Sequence, residues 1–326
     1  MDRIEPKLVT VFGGSGFVGT QIVQLLAQRG HRIRVAVRRP DLALHVKMYG
    51  SVGQVQPIQA NVRNMASVQR AVADSEIVIN LVGVQHSRGK QSFDAVHAEG
   101  AGNIVAAAKA AGVGSLVHVS ALGVDQAAGV SRYAASKLAG EANVLKAYPN
   151  AVILRPSVLF GQGDGFFNLM GALSRMFPLF PLVGGDTRFQ PAYVGDVAEA
   201  VVLAAEGKVK TGRIYELGGP QVETNRELVE RVQRETMRIR PLVPLSAGLA
   251  KFLALPFAIL PIKPLITSDQ VELLGVDNVV SDAAIKDKRT FEAFGITPTA
   301  MDTILPSYLY RYRKNGQFAR QVSSAA

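Results

Sequence analysis

The chain has 326 residues, with 36 Lys and Arg against 26 Asp and Glu, 5 His and no Cys, for a formal net charge of +10. Without cysteine it can build no disulfide, zinc–thiolate or iron–sulfur site, which fits a reducing compartment, and its length suits one large α/β unit with an appended part or two domains. The positive excess points to an anionic partner, a nucleotide, lipid headgroups, nucleic acid or an acidic protein, with a solvated basic surface as the plain alternative.

In chain order, Met1-Asp2-Arg3-Ile4-Glu5-Pro6 is charged and leads straight into the first strand, so no secretory leader is expected. Val9 and Val11 read as a short buried strand, Gly13, Gly16 and Gly19 follow at three-residue spacing, and Thr20 to Gln28 reads as a helix. Glycines let the backbone turn tightly and approach a ligand, and the helix N-terminus offers N–H groups and positive dipole to a pyrophosphate. Gly13, Gly14, Ser15, Gly16, Phe17, Val18 and Gly19 are therefore candidate phosphate-binding residues. A ligand-free βα turn is the alternative, disfavoured by the strand directly before and the helix directly after.

Residues 32–37 form a β-branched second strand ending in Arg38-Arg39. An acid here would bind the ribose 2′-hydroxyl of NAD, whereas arginine accommodates the 2′-phosphate of NADP. The pair favours NADP(H) over NAD(H), unless both guanidinium groups point into solvent. A third strand, 55–60, places Asn61 and Val62 beside an adenine. Residues 65–73 have helical spacing, and the nearly all-apolar run 77–82 reads as a strand covered on both faces, with Val82 and Gly83 at its end. Helices over 93–111 and 133–148 alternate with strands over 116–119 and 152–154. This alternation predicts an α/β fold with a doubly wound parallel sheet, whose ligands lie beyond the C-terminal strand ends.

After Arg155 the texture changes. Residues 161–185 are rich in Gly, Phe and Pro and read as a helix and loops outside the sheet; 189–205 return to a turn and helix, 213–218 to a strand, and 224–236 to a charged amphipathic helix. The expected organisation is a nucleotide-binding unit over 1–160 and 186–220, a smaller part over 161–185 and 221–312, and a polar tail over 313–326. The stretch from Leu242 to Ile266 is strongly apolar but broken by Pro244, Pro256, Pro261 and Pro264, which argues against a transmembrane span. A buried helical hairpin and a surface that docks on a membrane or an apolar partner remain open. The histidines, His31, His45, His86, His97 and His118, are scattered and make no metal-ligand spacing. No nucleic-acid module is recognisable, so none is expected as a partner.

Ser120 ends a strand, and Tyr133 and Lys137 share a helix face at four-residue spacing. A nearby ammonium would lower the tyrosine pKa, so that the phenol could pass a proton to or from a carbonyl or alcohol oxygen held by Ser120 while a nicotinamide passes hydride.

Together, Gly13–Gly19, Ser120, Tyr133-x-x-x-Lys137 and Arg155-Pro156 resemble the extended and atypical short-chain dehydrogenase/reductase superfamily. The resemblance implies that Pro156, Ser157 and Val158 pass the nicotinamide and that Lys137 can bond its ribose. A narrower resemblance rests on Phe12–Gly19, Val119-Ser-Ala-Leu-Gly123, Arg132-Tyr-Ala-Ala-Ser-Lys137, the run from Phe189 to Ala198, that from Leu265 to Leu274, Asp277-Asn-Val-Val280 and Phe294-Gly-Ile-Thr-Pro298. These look like bacterial relatives of the nucleotide-binding accessory subunit of respiratory complex I. That branch implies tight NADPH binding for structure and assembly, and a cytoplasmic site on the inner-membrane face beside the peripheral arm of NADH:quinone oxidoreductase. The separation of Ser120 from Tyr133 is shorter than in typical active extended members, which departs from the catalytic pattern. A reductase or epimerase of an unknown carbonyl substrate and an NADPH redox sensor are the competing functions.

Overall fold

The computed structural model describes residues 5–246, 248–249 and 267–318. Its main sheet has seven parallel strands, β1 (Leu8–Phe12), β2 (Arg32–Val37), β3 (Val55–Gln59), β4 (Ile77–Asn80), β5 (Ser115–Val119), β6 (Val152–Pro156) and β7 (Ile214–Leu217), in the order β7-β6-β5-β4-β1-β2-β3. Every residue of β4 and of β6 is buried, as apolar strands covered on both faces must be.

Helices supply that cover. Val9, Val11, Ile33, Ile79, Val117 and Leu154 point to one face, against α1 (Phe17–Gln28) and a later helix over Val194–Ala205. Phe12, Ala36, Val78 and Leu116 point to the other, against α2 (Met65–Val72) and α3 (Glu99–Ala110). Each fully buried Val, Leu or Ile contributes about 1.5–3 kcal/mol. Helix α4 (Arg132–Ala147) packs on α3. A second core joins Phe160, Phe167, Phe180, Leu228, Val232, Met301 and Leu309, gathering α5 (Phe166–Met176), α7 (Asn225–Thr236) and the C-terminal turns, with α6 denoting Val194–Ala205. Short strands Phe180–Leu182 and Leu242–Pro244 pair in parallel at its edge.

The chain winds from β1 outward to β3, then returns to place β4 on the other side of β1. This reversal opens a crevice above the C-terminal ends of β1 and β4, the position where such sheets take ligands.

Three local features differ from the sequence expectation. Helix α1 begins at Phe17 rather than Thr20, so the last residues of the glycine-rich run already belong to its first turn. Residues Pro40–Tyr49 form a 3-10 helix that no periodicity had suggested. The helix expected over 93–111 opens with a π turn, Asp94–Ala98, before α3. The turn packs closely on α4, where a Cβ on Gly140 would lie 2.4 Å from the His97 carbonyl oxygen. Within the apolar stretch from Leu242 to Ile266, residues 250–266 lie outside the described residues. Among those described, no helix is long and apolar enough to cross a membrane.

Candidate dinucleotide-binding site

The loop after β1 is built for a phosphate. Gly13 has φ +80°, and a Cβ there would press on the Leu81 carbonyl at 3.3 Å, so its glycine is required by the fold. Gly19 is required more strongly, because its Cβ would stand 2.4 Å from the Gly13 oxygen. Gly16 differs: its only neighbour would be that same oxygen at 3.4 Å, and the space beyond is open. Gly16 is also the N-cap of α1 and has no side chain to satisfy the first helical N–H groups. A bare helix terminus facing a space that a side chain would fill fits a pyrophosphate. Gly14 packs inward on Val11, Val23 and Val35, Ser15 and Val18 are half-buried, and the Phe17 ring lies against the Gly161–Gly163 turn.

At the end of β2, Arg38 and Arg39 are both exposed. Arg39 is gripped by Asp41 through two bonds, Nε–Oδ1 at 3.0 Å and Nη2–Oδ2 at 2.7 Å, whereas Arg38 has no partner among the described residues. Beyond β3, Asn61 accepts the Arg63 N–H, and the Val62 carbonyl accepts from Asn103 Nδ2. Asn61 is half-buried, and Val62 packs into the core under α2 and α3.

On the far side of β4 the structure brings together Lys137, Tyr133 and a residue that the sequence did not single out, His97. The Lys137 ammonium, 5% exposed, donates to the Val119 carbonyl at 3.1 Å, and a Cβ on Gly83 would meet it at 3.6 Å. The Val84 N–H donates to His97 Nε2 at 2.9 Å, so the imidazole proton sits on Nδ1, 2.8 Å from Ser136 Oγ; that hydroxyl in turn donates to the Tyr133 carbonyl. The His97 and Tyr133 rings meet edge to face at 5.3 Å, with Phe93 stacked on His97. His97 thus ties the loop after β4 to the helix that carries Tyr133. The only trace of this in the sequence is a histidine among the small residues that open the α3 region.

Beneath lies a second buried histidine. Asn80 Oδ1 accepts the Val82 N–H, which leaves Asn80 Nδ2 to donate to His118 Nδ1 at 3.0 Å. His118 therefore carries its proton on Nε2, which is buried without a partner, as is Ser120 Oγ two residues along the same strand face. Burial, with the Lys137 charge adding, pushes His97 and His118 down to about 3 and keeps both neutral. Burial likewise lowers Lys137 to about 8, against the opposing Glu141 charge.

Tyr133 corrects an expectation. Its pKa is pushed up to about 12 by burial, and the Asp269 carboxylate adds to the rise; it is not lowered by Lys137. Asp269 belongs to α8 (Ser268–Leu273) and sits on the N-terminus of α4, where it accepts from the Arg132 N–H at 2.7 Å and from Ser131 Oγ at 2.8 Å. The same C-terminal segment holds the next rim loop. Asn278 Oδ1 accepts from Ser157 Oγ at 2.6 Å and from the Val158 N–H at 3.1 Å, while its Nδ2 donates to the Leu122 carbonyl. Pro156 ends β6 behind them, and Arg155 is neutralised inward by Glu141 (2.9 and 2.8 Å) and Asp125 (2.9 Å).

A glycine-turned phosphate loop at the switch point of a doubly wound sheet, with Ser, Tyr and Lys on the opposite rim, defines a protein of the dinucleotide-binding Rossmann class. The chain belongs to the NAD dependent epimerase/dehydratase family, whose model matches residues 9–218, and within it to the branch of the mitochondrial complex I subunit described next. The Arabidopsis thaliana NADH dehydrogenase [ubiquinone] 1 alpha subcomplex subunit 9 is 34% identical over 330 residues, covering 97% of this chain and 81% of that protein. Among solved structures, the fold matches the Bordetella bronchiseptica enzyme WbmH in complex with NAD+ (TM-score 0.71, 17% identity, 95% of this chain and 99% of that one). It also matches an NADPH-dependent quinone oxidoreductase from Escherichia coli complexed with NADPH (TM-score 0.69, 19% identity, 90% and 96%).

Proposed function

We propose that the chain binds NADP(H) across the β1–β4 crevice and serves as a peripheral accessory or assembly subunit of NADH:quinone oxidoreductase, on the cytoplasmic face of a bacterial inner membrane. The observation that carries this reading is an asymmetry within the site. The nucleotide half is open to a ligand, with Gly16 uncovered, α1 uncapped and Arg38 unpaired. The reacting half is engaged by the protein itself, with Lys137 on the Val119 carbonyl and the Tyr133 proton held by burial and Asp269.

In this reading residues Gly13 to Gly19 hold the pyrophosphate, Arg38 and Arg39 the 2′-phosphate, and Asn61 and Val62 the adenine. Val82, Gly83, Tyr133, Lys137, Pro156, Ser157 and Val158 line the nicotinamide end. A bound nicotinamide would supply hydride chemistry. Residues 1–160 and 186–220 serve the nucleotide, and 161–185 with 221–312 serve the partner. Similarity to a mitochondrial NADH dehydrogenase subunit supports the choice of partner. The test is native-gel migration of the chain from mildly solubilised host membranes, with mass spectrometry of each band that contains it. Co-migration with core subunits of NADH:quinone oxidoreductase is expected, and migration solely as a free monomer or dimer would overturn the reading.

One observation favours a second reading, a reductase or epimerase of a carbonyl substrate. Ser120 Oγ is buried and unpartnered, a hydroxyl free to donate to a substrate oxygen beside Tyr133 and Lys137. In that case Tyr133→Phe abolishes the host phenotype with nucleotide binding intact; in the accessory reading it is mild.

A further inference from the structure

Several of the most exposed large apolar side chains among the described residues are concentrated in one place. Leu42 (68%), Leu44 (54%), Met48 (79%) and the fully exposed Val52 fall on and just after the helix Pro40–Tyr49. That helix is a 3-10 helix of 10 residues, a form that is uncommon beyond three or four residues. With three residues per turn, Ala43, Val46 and Tyr49 share one ridge, and Ala43 and Val46 are buried against the sheet. Leu42, His45 and Met48 form a second ridge and Asp41, Leu44 and Lys47 a third, all exposed. The inner ridge fixes the backbone, so the outer apolar side chains are held in water and cannot fold inward. Scattered exposed leucines are ordinary, but a cluster on a fixed element marks an interaction surface.

The rim of this patch selects the partner. Lys47 is exposed, the one acid on the helix, Asp41, is taken up by Arg39, and the chain as a whole carries +10. A partner must therefore bring negative charge around an apolar centre. A second copy would set two positive rims together on a chain already at +10. A lipid surface would call for a denser row of Lys and Arg and for aromatic anchors, which the exposed ridges of the helix lack; its one aromatic residue, Tyr49, is on the inner ridge.

We propose that Leu42, Leu44, Met48 and Val52 form the docking surface for a protein partner that presents an apolar ridge flanked by carboxylates. This rests on the accessory-subunit reading and adds to it a second partner surface, on the nucleotide-binding unit itself, in addition to the part over 161–185 and 221–312. The experiment repeats the native-gel assay with the full chain in host membranes, comparing wild type, the double variant Leu44→Asp/Met48→Asp and the control Val130→Asp, which alters an exposed apolar residue elsewhere on the nucleotide-binding unit. NADPH titration and thermal melts of the purified variants report the fold.

The double variant should lose about tenfold or more of the fraction that co-migrates with core subunits of NADH:quinone oxidoreductase, as truncation of a central contact does, with NADPH affinity and melting unchanged. The control should behave as wild type. A double variant that co-migrates fully overturns the docking surface alone, and a wild type that never co-migrates overturns it together with the accessory reading. Equal loss in the control also overturns it. So does finding that the double variant instead abolishes self-association in gel filtration or binding to phosphatidylglycerol vesicles.

Discussion

Asp269 accepts the backbone N–H of Arg132 at 2.7 Å, which fixes a C-terminal helix onto the first residue of the helix that carries Tyr133. A carboxylate there offsets the positive end of the α4 dipole and satisfies an otherwise free donor. The same negative charge opposes a phenolate at Tyr133. Asp269→Asn keeps the shape and removes the charge. It should cost about 1 kcal/mol of stability and let the Tyr133 pKa fall from about 12. Thermal denaturation and an ultraviolet phenol titration check the two effects, and an unchanged titration would assign the whole rise to burial.

Two glycines of one loop should respond differently to the same substitution. A methyl on Gly19 would overlap the Gly13 oxygen at 2.4 Å and the Gly14 Cα at 2.6 Å, so Gly19→Ala must displace backbone and should cost about 1–3 kcal/mol. A methyl on Gly16 meets nothing closer than 3.4 Å, so Gly16→Ala should cost less than about 1 kcal/mol, the preference for glycine over alanine at an N-cap. It should nonetheless weaken NADP(H) binding by about tenfold, because the methyl enters the space in front of the α1 N-terminus. Melting curves with and without nucleotide separate the two; a Gly16→Ala protein that binds normally would remove the phosphate from this position.

How much of this was legible in the sequence depends on range. The parallel sheet, the glycine turn and the placement of Ser120, Tyr133 and Lys137 follow from local spacing, since period and turn chemistry act within a few residues. The partners of those residues do not. His97 becomes important only because Gly140 lets α4 come close enough for the imidazole to bridge Val84 and Ser136. Asp269 and Asn278 reach the site from more than a hundred residues away in the chain, and Tyr133 is governed by that distant carboxylate and by burial rather than by the lysine one turn along. The 3-10 helix after Arg39 left no signal because its inner-ridge residues, Ala43, Val46 and Tyr49, recur every three positions rather than 3.6, and its larger apolar residues lie on the exposed ridges.

The Arg39–Asp41 pair bears on which nucleotide is held. In the structure Asp41 occupies the Arg39 fork with two hydrogen bonds, and a 2′-phosphate would have to compete for it. An exposed pair of this kind is weak, so competition is feasible. Asp41→Ala should tighten NADPH binding a few-fold with little effect on NADH, whereas Arg38→Ala should weaken NADPH by about tenfold, the loss of one charge-assisted contact. Fluorescence titration at low and high salt measures both, since a phosphate contact is screened and an adenine contact is not. Equal losses for NADPH and NADH in Arg38→Ala would remove the basis for NADP preference.

The two buried histidines make stability depend on pH in a defined window. His97 and His118 titrate at about 3 in the folded protein against 6.5 for the free side chain. Between those values the unfolded chain binds a proton that the folded chain refuses, so stability is lost as pH falls from 6.5 toward 3 and is fully present above. By pH 5 each histidine should withdraw about 2 kcal/mol. Ordinary carboxylates also titrate at the lower end, so the informative quantity is the difference between proteins. His97→Asn and His118→Asn should each melt lower than wild type at pH 7, because Val84 and Ser136 or Asn80 lose a partner. Each should also show a shallower fall in melting temperature between pH 7 and pH 5. Lys137, at about 8 against 10.5 when free, acts in the same direction at the alkaline end: the unfolded chain binds the extra proton, so wild type gains stability between those values and Lys137→Met does not. A wild type and a His118→Asn protein with parallel pH profiles would mean that His118 takes up its proton in the folded state, with Nε2 meeting an acceptor inside the site.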